Sequence, residues 1–245
     1  MAAARVPVQT VADVGGVVTR ALDQVCADGS EAAVQVCVEA GGRDFWIGVP
    51  AQAEPRIVTL YKAETEPRRR PELSAAAIPA TLDTGPEVYN RADVRRACLP
   101  AAGGISSARS LAAIYAMLAA RTANADLDLG ASWLARATSV WRDETDLVTG
   151  LPTARGLGFI VSAPSERLAP FSAERPGFGH PGAGGSLAWA DVRTGAGIAI
   201  TRSRMTAAGW RGEAMQRLIA AALEALDAGV GSVPVTTAGR GTDGP

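Results

Sequence analysis

The chain has 245 residues, of which 47% are hydrophobic and 20% charged, with a formal net charge of -1; this is the balance of one soluble globular domain with a single substantial core. A charge so close to zero gives no long-range field to gather nucleic acid or an anionic membrane, and the only basic run, Arg68-Arg69-Arg70, sits among prolines as a solvated loop. Cys26, Cys37, Cys98 and a single histidine lack the spacing of a Cys/His zinc set, so no metal is expected and the thiols are read as reduced. The opening Met1-Ala2-Ala3-Ala4-Arg5 leads into polar residues without the apolar core of a signal peptide. No apolar stretch approaches the ~20 residues that span a bilayer, and the expected location is the cytoplasm.

In chain order, Val11, Val14, Val18, Ala21, Leu22 and Val25 recur at three-to-four spacing and predict an amphipathic helix over Val8 to Cys26. Ala33 to Ala40 reads as a strand with Val34, Val36 and Val38 on one face, closed by Gly41-Gly42. Lys62 to Pro86, rich in proline and polar residues, reads as a long irregular connection. Ser106 or Ser107 can cap a helix that carries Leu111, Ile114, Tyr115 and Leu118 on one side, and a second helix is predicted over Leu127 to Thr138. Gly156 to Val161 is a short apolar run of strand type. Leu187 to Asp191 and Ile198 to Thr201 flank a turn at Arg193-Thr194-Gly195 and predict a β-hairpin. Arg211 to Ala228 predicts a last helix with Met215, Leu218, Ile219, Ala222, Leu223 and Leu226 on its buried face. Beyond Gly229 the composition is that of a disordered tail, so a single domain over 1–228 and a tail over 229–245 are expected. The order suits an α+β fold, an antiparallel sheet flanked by helices.

The most informative stretch is Gly179-His180-Pro181-Gly182-Ala183-Gly184-Gly185-Ser186, leading into Leu187-Ala188-Trp189-Ala190-Asp191. It resembles the third motif of the β-lactamase-related serine hydrolases, the group of class C β-lactamases, D-peptidases and esterases, in which His can stand for the Lys of a Lys-Thr-Gly on an edge strand. Other segments resemble the family in the same order: Asp44-Phe45-Trp46-Ile47-Gly48-Val49-Pro50, Tyr89-Asn90, Pro100 to Ala112, Asp146-Leu147-Val148-Thr149-Gly150 and Gly156-Leu157-Gly158-Phe159. The resemblance runs from about Asp44 to Leu226 and implies a β-lactamase/transpeptidase-like fold. It assigns His180 to the Lys or His position and the Ala183 backbone N–H to the oxyanion site. Gly182, Gly184, Gly185 and Ser186 are then the strand residues beside which substrate binds, with the glycines leaving room for it. The implied substrates are small esters or amides, cleaved through an acyl-enzyme without metal or organic cofactor.

The family attacks with a Ser three residues before a Lys, and this chain has no such pair: its only lysine is Lys62, and Thr59 lies three positions before it. In the family a long block carrying that pair and a Tyr-x-Asn loop separates the first strand from the Asp-Phe-Trp segment, whereas here Arg43 runs directly into Asp44. The expectation is a helical lobe truncated by an internal deletion near 43–44, or a natural short form, with a nucleophile not found and activity weak or lost. Tyr89, followed directly by Asn90, reads as structural, and Ser107, Ser110 and Ser186 have no Lys or His at an activating spacing. The alternative is a non-catalytic interaction or structural remnant that self-associates through an exposed apolar face; a further reading has a second polypeptide supplying the Ser-Lys half. Gly177-Phe178-Gly179-His180-Pro181-Gly182 also spells G-x-G-x-x-G, but the glycines are not expected between a strand and a helix and Pro181 removes an amide, so nucleotide binding is not expected.

Overall fold

The structure, a computed structural model, describes residues 20, 33–38, 44–62, 72–77, 83–119, 131–228 and 233–239. The helix expected over Val8 to Cys26 lies outside these residues except at Arg20, as does most of the connection after Lys62. The described residues form twelve strands: β1 (Ala33–Val38), β2 (Phe45–Ile47), β3 (Tyr61–Lys62), β4 (Gly104–Ser106), β5 (Arg142–Asp146), β6 (Leu151–Arg155), β7 (Ile160–Val161), β8 (Gly177–Pro181), β9 (Leu187–Asp191), β10 (Ala196–Arg202), β11 (Arg204–Met205) and β12 (Val233–Gly239). Eight of them form one sheet in the order β12-β1-β10-β9-β8-β7-β6-β5, and every pairing in it is antiparallel. β12 falls within the stretch that composition reads as a tail and lies along β1.

Alternation along β9 and β10 sorts the core into two layers, because successive residues of a strand point to opposite faces. Leu187, Trp189, Ile198 and Ile200 face the helix Glu213–Asp227 and pack with its Met215, Leu218, Ile219 and Ala222. Each large apolar side chain buried there stabilises the fold by about 1.5–3 kcal/mol. Phe171 stands edge-on between Trp189 and Trp210, with ring centroids 4.9 and 5.1 Å away. The helix starts at Glu213 rather than Arg211 because Gly209–Arg211 winds into a separate 3₁₀ turn.

The opposite face is lined by small residues, Ala188, Ala190, Gly197 and Ala199, and it receives the helix Ala108–Ala119. A methyl group at Gly197 would lie 1.9 Å from Ala112 O and 2.4 Å from Ala116 N, so only glycine lets the helix backbone come this close. Ser107 caps that helix, its Oγ accepting from Ser110 N at 3.2 Å. Ala108, Ala112, Ala116 and Ala119 are its buried residues, whereas Leu111, Ile114, Tyr115 and Leu118, the apolar side legible in the sequence, are half-buried at its flank. Tyr115 packs there against Phe159, and Phe159 against Phe178.

At Asp44 the described chain enters a separate two-stranded sheet, β2 with β4. Asp44 N donates to Ser110 Oγ at 2.7 Å and Ser106 Oγ donates to Asp44 O at 2.9 Å, so Asp44 is fastened to the start of the helix. Asn90 accepts from Leu60 N and donates to Leu60 O, both at 2.8 Å, so its side chain clamps the segment before β3. The run expected as a strand over Gly156 to Val161 is a strand only at Ile160–Val161; Gly158, at φ +84°, belongs to the turn before it.

Candidate active site

β8 is an interior strand, with β7 on one side and β9 on the other, which corrects its expected place at a sheet edge. It behaves as an edge at one end only. β7 pairs with Phe178 and Gly179 and then stops, so His180 and Pro181 have no ladder partner on that side among the described residues. A cleft of about 360 Å³ opens there, with His180, Pro181, Gly182 and Ala183 along one wall. β6 and the segment Ala207–Arg211 also line it, as does Ser74, from the helix Glu72–Ala77.

His180 is exposed and its Nδ1 lies 2.8 Å from Pro181 O. A carbonyl oxygen only accepts, so this contact requires a proton on Nδ1, and in the neutral ring Nε2 is then the acceptor nitrogen. The glycine turn after β8 is held by Gly182 N donating to Ser186 O at 2.7 Å and by Gly185 N donating to Gly182 O at 3.0 Å. With the Gly182 amide used inside the turn, Ala183 is the next residue of the wall that can offer an N–H to the cleft.

The cleft lining also includes a compensated charge pair. Glu166, only 6% exposed, takes hydrogen bonds from Arg211, and its Oε1 also accepts the Arg167 and Leu168 amides at 2.9 Å each. The Arg211 guanidinium lies over the Trp210 ring, 4.5 Å from its centroid, a placement that adds a cation–π attraction. Arg155 reaches Asp146 at 2.6 Å. Burial opposes the charged form of Asp146, but the Thr149 amide and Arg155 outweigh it and hold the carboxyl below its ordinary range.

The structure brings together His180, Gly182 and Ala183 and leaves the other expected residues out of the cleft. A Cβ on Gly184 would lie 2.8 Å from Met205 Cγ, and one on Gly185, at φ +106°, 2.7 Å from an Arg202 guanidinium nitrogen. Both glycines therefore serve the packing of the turn onto β10 and β11. Ser186 accepts from Arg202 N at 3.2 Å. Gly182, whose added Cβ would meet nothing closer than 3.6 Å, is the glycine with room beside it. The fingerprint reading of Gly177 to Gly182 fails on geometry, since Gly177–Pro181 is itself a strand that returns through a tight turn into β9. Ser74, Glu166 and Arg211 escape sequence reasoning because they meet only across the fold; Glu166 and Arg211 are 45 residues apart. Among the described residues no group of acidic, Cys or His side chains could hold a metal, and no helix is long and apolar enough to cross a membrane.

An antiparallel sheet with helices on both faces, opening a cleft at the end of a Gly-His-Pro-Gly-Ala strand, defines the β-lactamase/transpeptidase-like class of serine hydrolase folds. The Beta-lactamase family model matches residues 32–222, and the chain belongs to that family. It is 31% identical over 120 residues to Esterase/beta-lactamase LipL of Mycobacterium tuberculosis, an alignment covering 48% of this chain and 26% of LipL. A penicillin-binding-protein homologue from Caulobacter crescentus superposes with a TM-score of 0.57 at 27% identity, covering 74% of this chain and 48% of that one. A family VIII carboxylesterase (TM-score 0.62, 24% identity, 74% of this chain and 47% of that one) shares the fold. So does EstA from Arthrobacter nitroguajacolicus (TM-score 0.59, 23% identity, 76% of this chain and 50% of that one). The match thus spans about a quarter of LipL and about half the length of these solved structures.

Proposed function

We propose that this chain is a weak ester or amide hydrolase whose cleft at the open end of β8 receives a small acyl group. The observation that carries the reading is the joint placement of His180, Gly182 and Ala183 on one wall of that cleft. In this reading an N–H at Ala183 meets the oxygen that becomes negative as the carbonyl is attacked. His180 Nε2 handles the proton, and no metal or organic cofactor takes part. The absence of a Ser-Lys pair, which we attribute to an internal deletion near 43–44, sets the rate. Losing one member of a coupled catalytic set costs on the order of 10⁶ in turnover, and roughly 10³ to 10⁴ over water survives from oxyanion donors and binding. The same reading places the chain in the cytoplasm without a nucleic-acid partner. Initial rates of p-nitrophenyl acetate hydrolysis test it: a saturable rate above background that falls at least tenfold in His180→Ala supports the hydrolase. A rate no different from buffer in the folded wild type overturns it.

A second reading, self-association without catalysis, is favoured by one surface. Trp141 (53% exposed) and Leu157 (43%) gather at the end of the helix Ala131–Ala137. The indole N–H of Trp141 donates to Arg136 O, and the Leu157 amide to Ala137 O. Light scattering distinguishes this reading, which requires a dimer or larger species that Trp141→Ser dissociates.

A further inference from the structure

The family's Ser-x-x-Lys serine is missing from the sequence, and the cleft nevertheless contains a serine. Ser74 lies on the helix Glu72–Ala77, is 8% exposed, and lines the same cleft as His180 and Ala183. The cleft is lined by three side-chain hydroxyls. Thr153 Oγ1 donates to Leu151 O at 3.2 Å, and Thr149 is an exposed residue of the turn between β5 and β6. Ser74 is thus the only serine on the lining among the described residues, and it is a primary alcohol without the methyl that crowds a threonine. Its low exposure matters chemically, because a hydroxyl kept from bulk water meets a bound carbonyl with less competition from solvent.

Resting on the hydrolase reading above, we infer that Ser74 is the acyl-accepting nucleophile of this cleft, working with His180 in place of the absent Ser-Lys pair. No hydrogen bond joins the two side chains in the structure, where His180 Nδ1 is bonded to Pro181 O; such bonds are commonly long before substrate binds. With a small ester bound, Ser74 Oγ attacks the carbonyl carbon and forms the new C–O bond while Nε2 of His180 takes the hydroxyl proton. The tetrahedral adduct expels the alcohol, which leaves with that proton, and Ser74 is left as an acyl ester. Water then adds to the ester with His180 again taking a proton; the acid is released and the Ser74 hydroxyl is restored. A neutral imidazole is competent for both proton transfers, and a positioned general base of this kind contributes typically 10²- to 10⁴-fold.

The test uses the full chain and a fluorophosphonate probe, read by intact mass and peptide mapping, with p-nitrophenyl acetate hydrolysis measured on the same samples. The expected result is one adduct per chain, mapped to Ser74. It should be abolished in Ser74→Ala and form at least tenfold more slowly in His180→Ala, with thermal melts showing each variant folded. Should Ser74→Ala not fold, the mapped position of the wild-type adduct decides alone. An adduct mapped to another residue, undiminished labelling of Ser74→Ala, or no adduct on a cooperatively melting wild type overturns the assignment. Hydrolysis that persists in Ser74→Ala leaves the hydrolase standing and removes only Ser74. Loss of both labelling and hydrolysis in the wild type removes the two together.

Discussion

The Gly197→Ala substitution adds one methyl group where, among the described glycines, a Cβ would have the least room. Its Cβ would lie 1.9 Å from Ala112 O and 2.4 Å from Ala116 N, whereas such contacts are not tolerated below about 3 Å. The obstacle is helix backbone, so no side-chain rotation relieves it. The helix Ala108–Ala119 must withdraw from β10 by roughly 1 Å, opening the contacts around Ala108, Ala112, Ala188 and Ala199, all of which are at most 3% exposed. Overpacking of this type costs about 1–3 kcal/mol and occasionally more, and the rigid obstacle puts this case at about 3 kcal/mol. For a domain of this size each kcal/mol lowers Tm by roughly 2–4 °C, giving a drop of roughly 6–12 °C. Gly158→Ala is the control, since Gly158 has φ +84° but nothing within 4 Å of an added Cβ; conformation alone should cost about 1–2 kcal/mol. Urea unfolding followed by circular dichroism compares the two at equal m-value. A Gly197→Ala protein no less stable than Gly158→Ala would refute the close-packing argument.

Asp191 is fully buried and takes its charge partner from Arg175, whose side chain is 12% exposed. Arg175→Leu therefore strands a buried carboxylate and should cost about 3–5 kcal/mol in urea unfolding, against under 1 kcal/mol for the half-exposed Arg193→Leu. Burial raises the Tyr115 hydroxyl to about 12 from its ordinary 10. Because the folded pKa is raised, this contribution is complete below pH 10 and is lost as pH rises through 12; stability should fall by about 3 kcal/mol across that window, and Tyr115→Phe should flatten the decline. Ser107→Ala removes the cap of the helix Ala108–Ala119 and should lower stability by about 1 kcal/mol.

How much could be read beforehand depended on whether the signal was local. The β9–β10 hairpin was legible because Leu187-Ala188-Trp189 alternates and a turn with Gly195 follows, and the helix Glu213–Asp227 because its large apolar residues recur at helical spacing. The helix Ala108–Ala119 was legible as a helix but not in its buried face. Its alanines carry little apolar signal, and their burial is set by Gly197 and Ala199 some eighty residues later in the chain. β5, Arg142-Asp143-Glu144-Thr145-Asp146, carries no apolar alternation and takes its conformation from pairing with β6. At the site, His180, Gly182 and Ala183 came from a contiguous motif and do share the cleft. Gly184 and Gly185 belong to the same motif but answer to Met205 and Arg202, which no spacing reveals. Ser74 and the Glu166–Arg211 pair reach the cleft through tertiary folding alone.

The claim that the open end of β8 is where acyl compounds bind can be put to one resonance, because His180 is the only histidine in the chain. The imidazole proton signals would be followed by NMR while a short-chain trifluoromethyl ketone, whose hydrated form mimics the tetrahedral adduct, is titrated into the folded protein. A saturable shift of the His180 signals, weakened when Gly182→Val fills the space beside the strand, is the predicted result. An unmoved His180 spectrum at millimolar ketone would contradict the account.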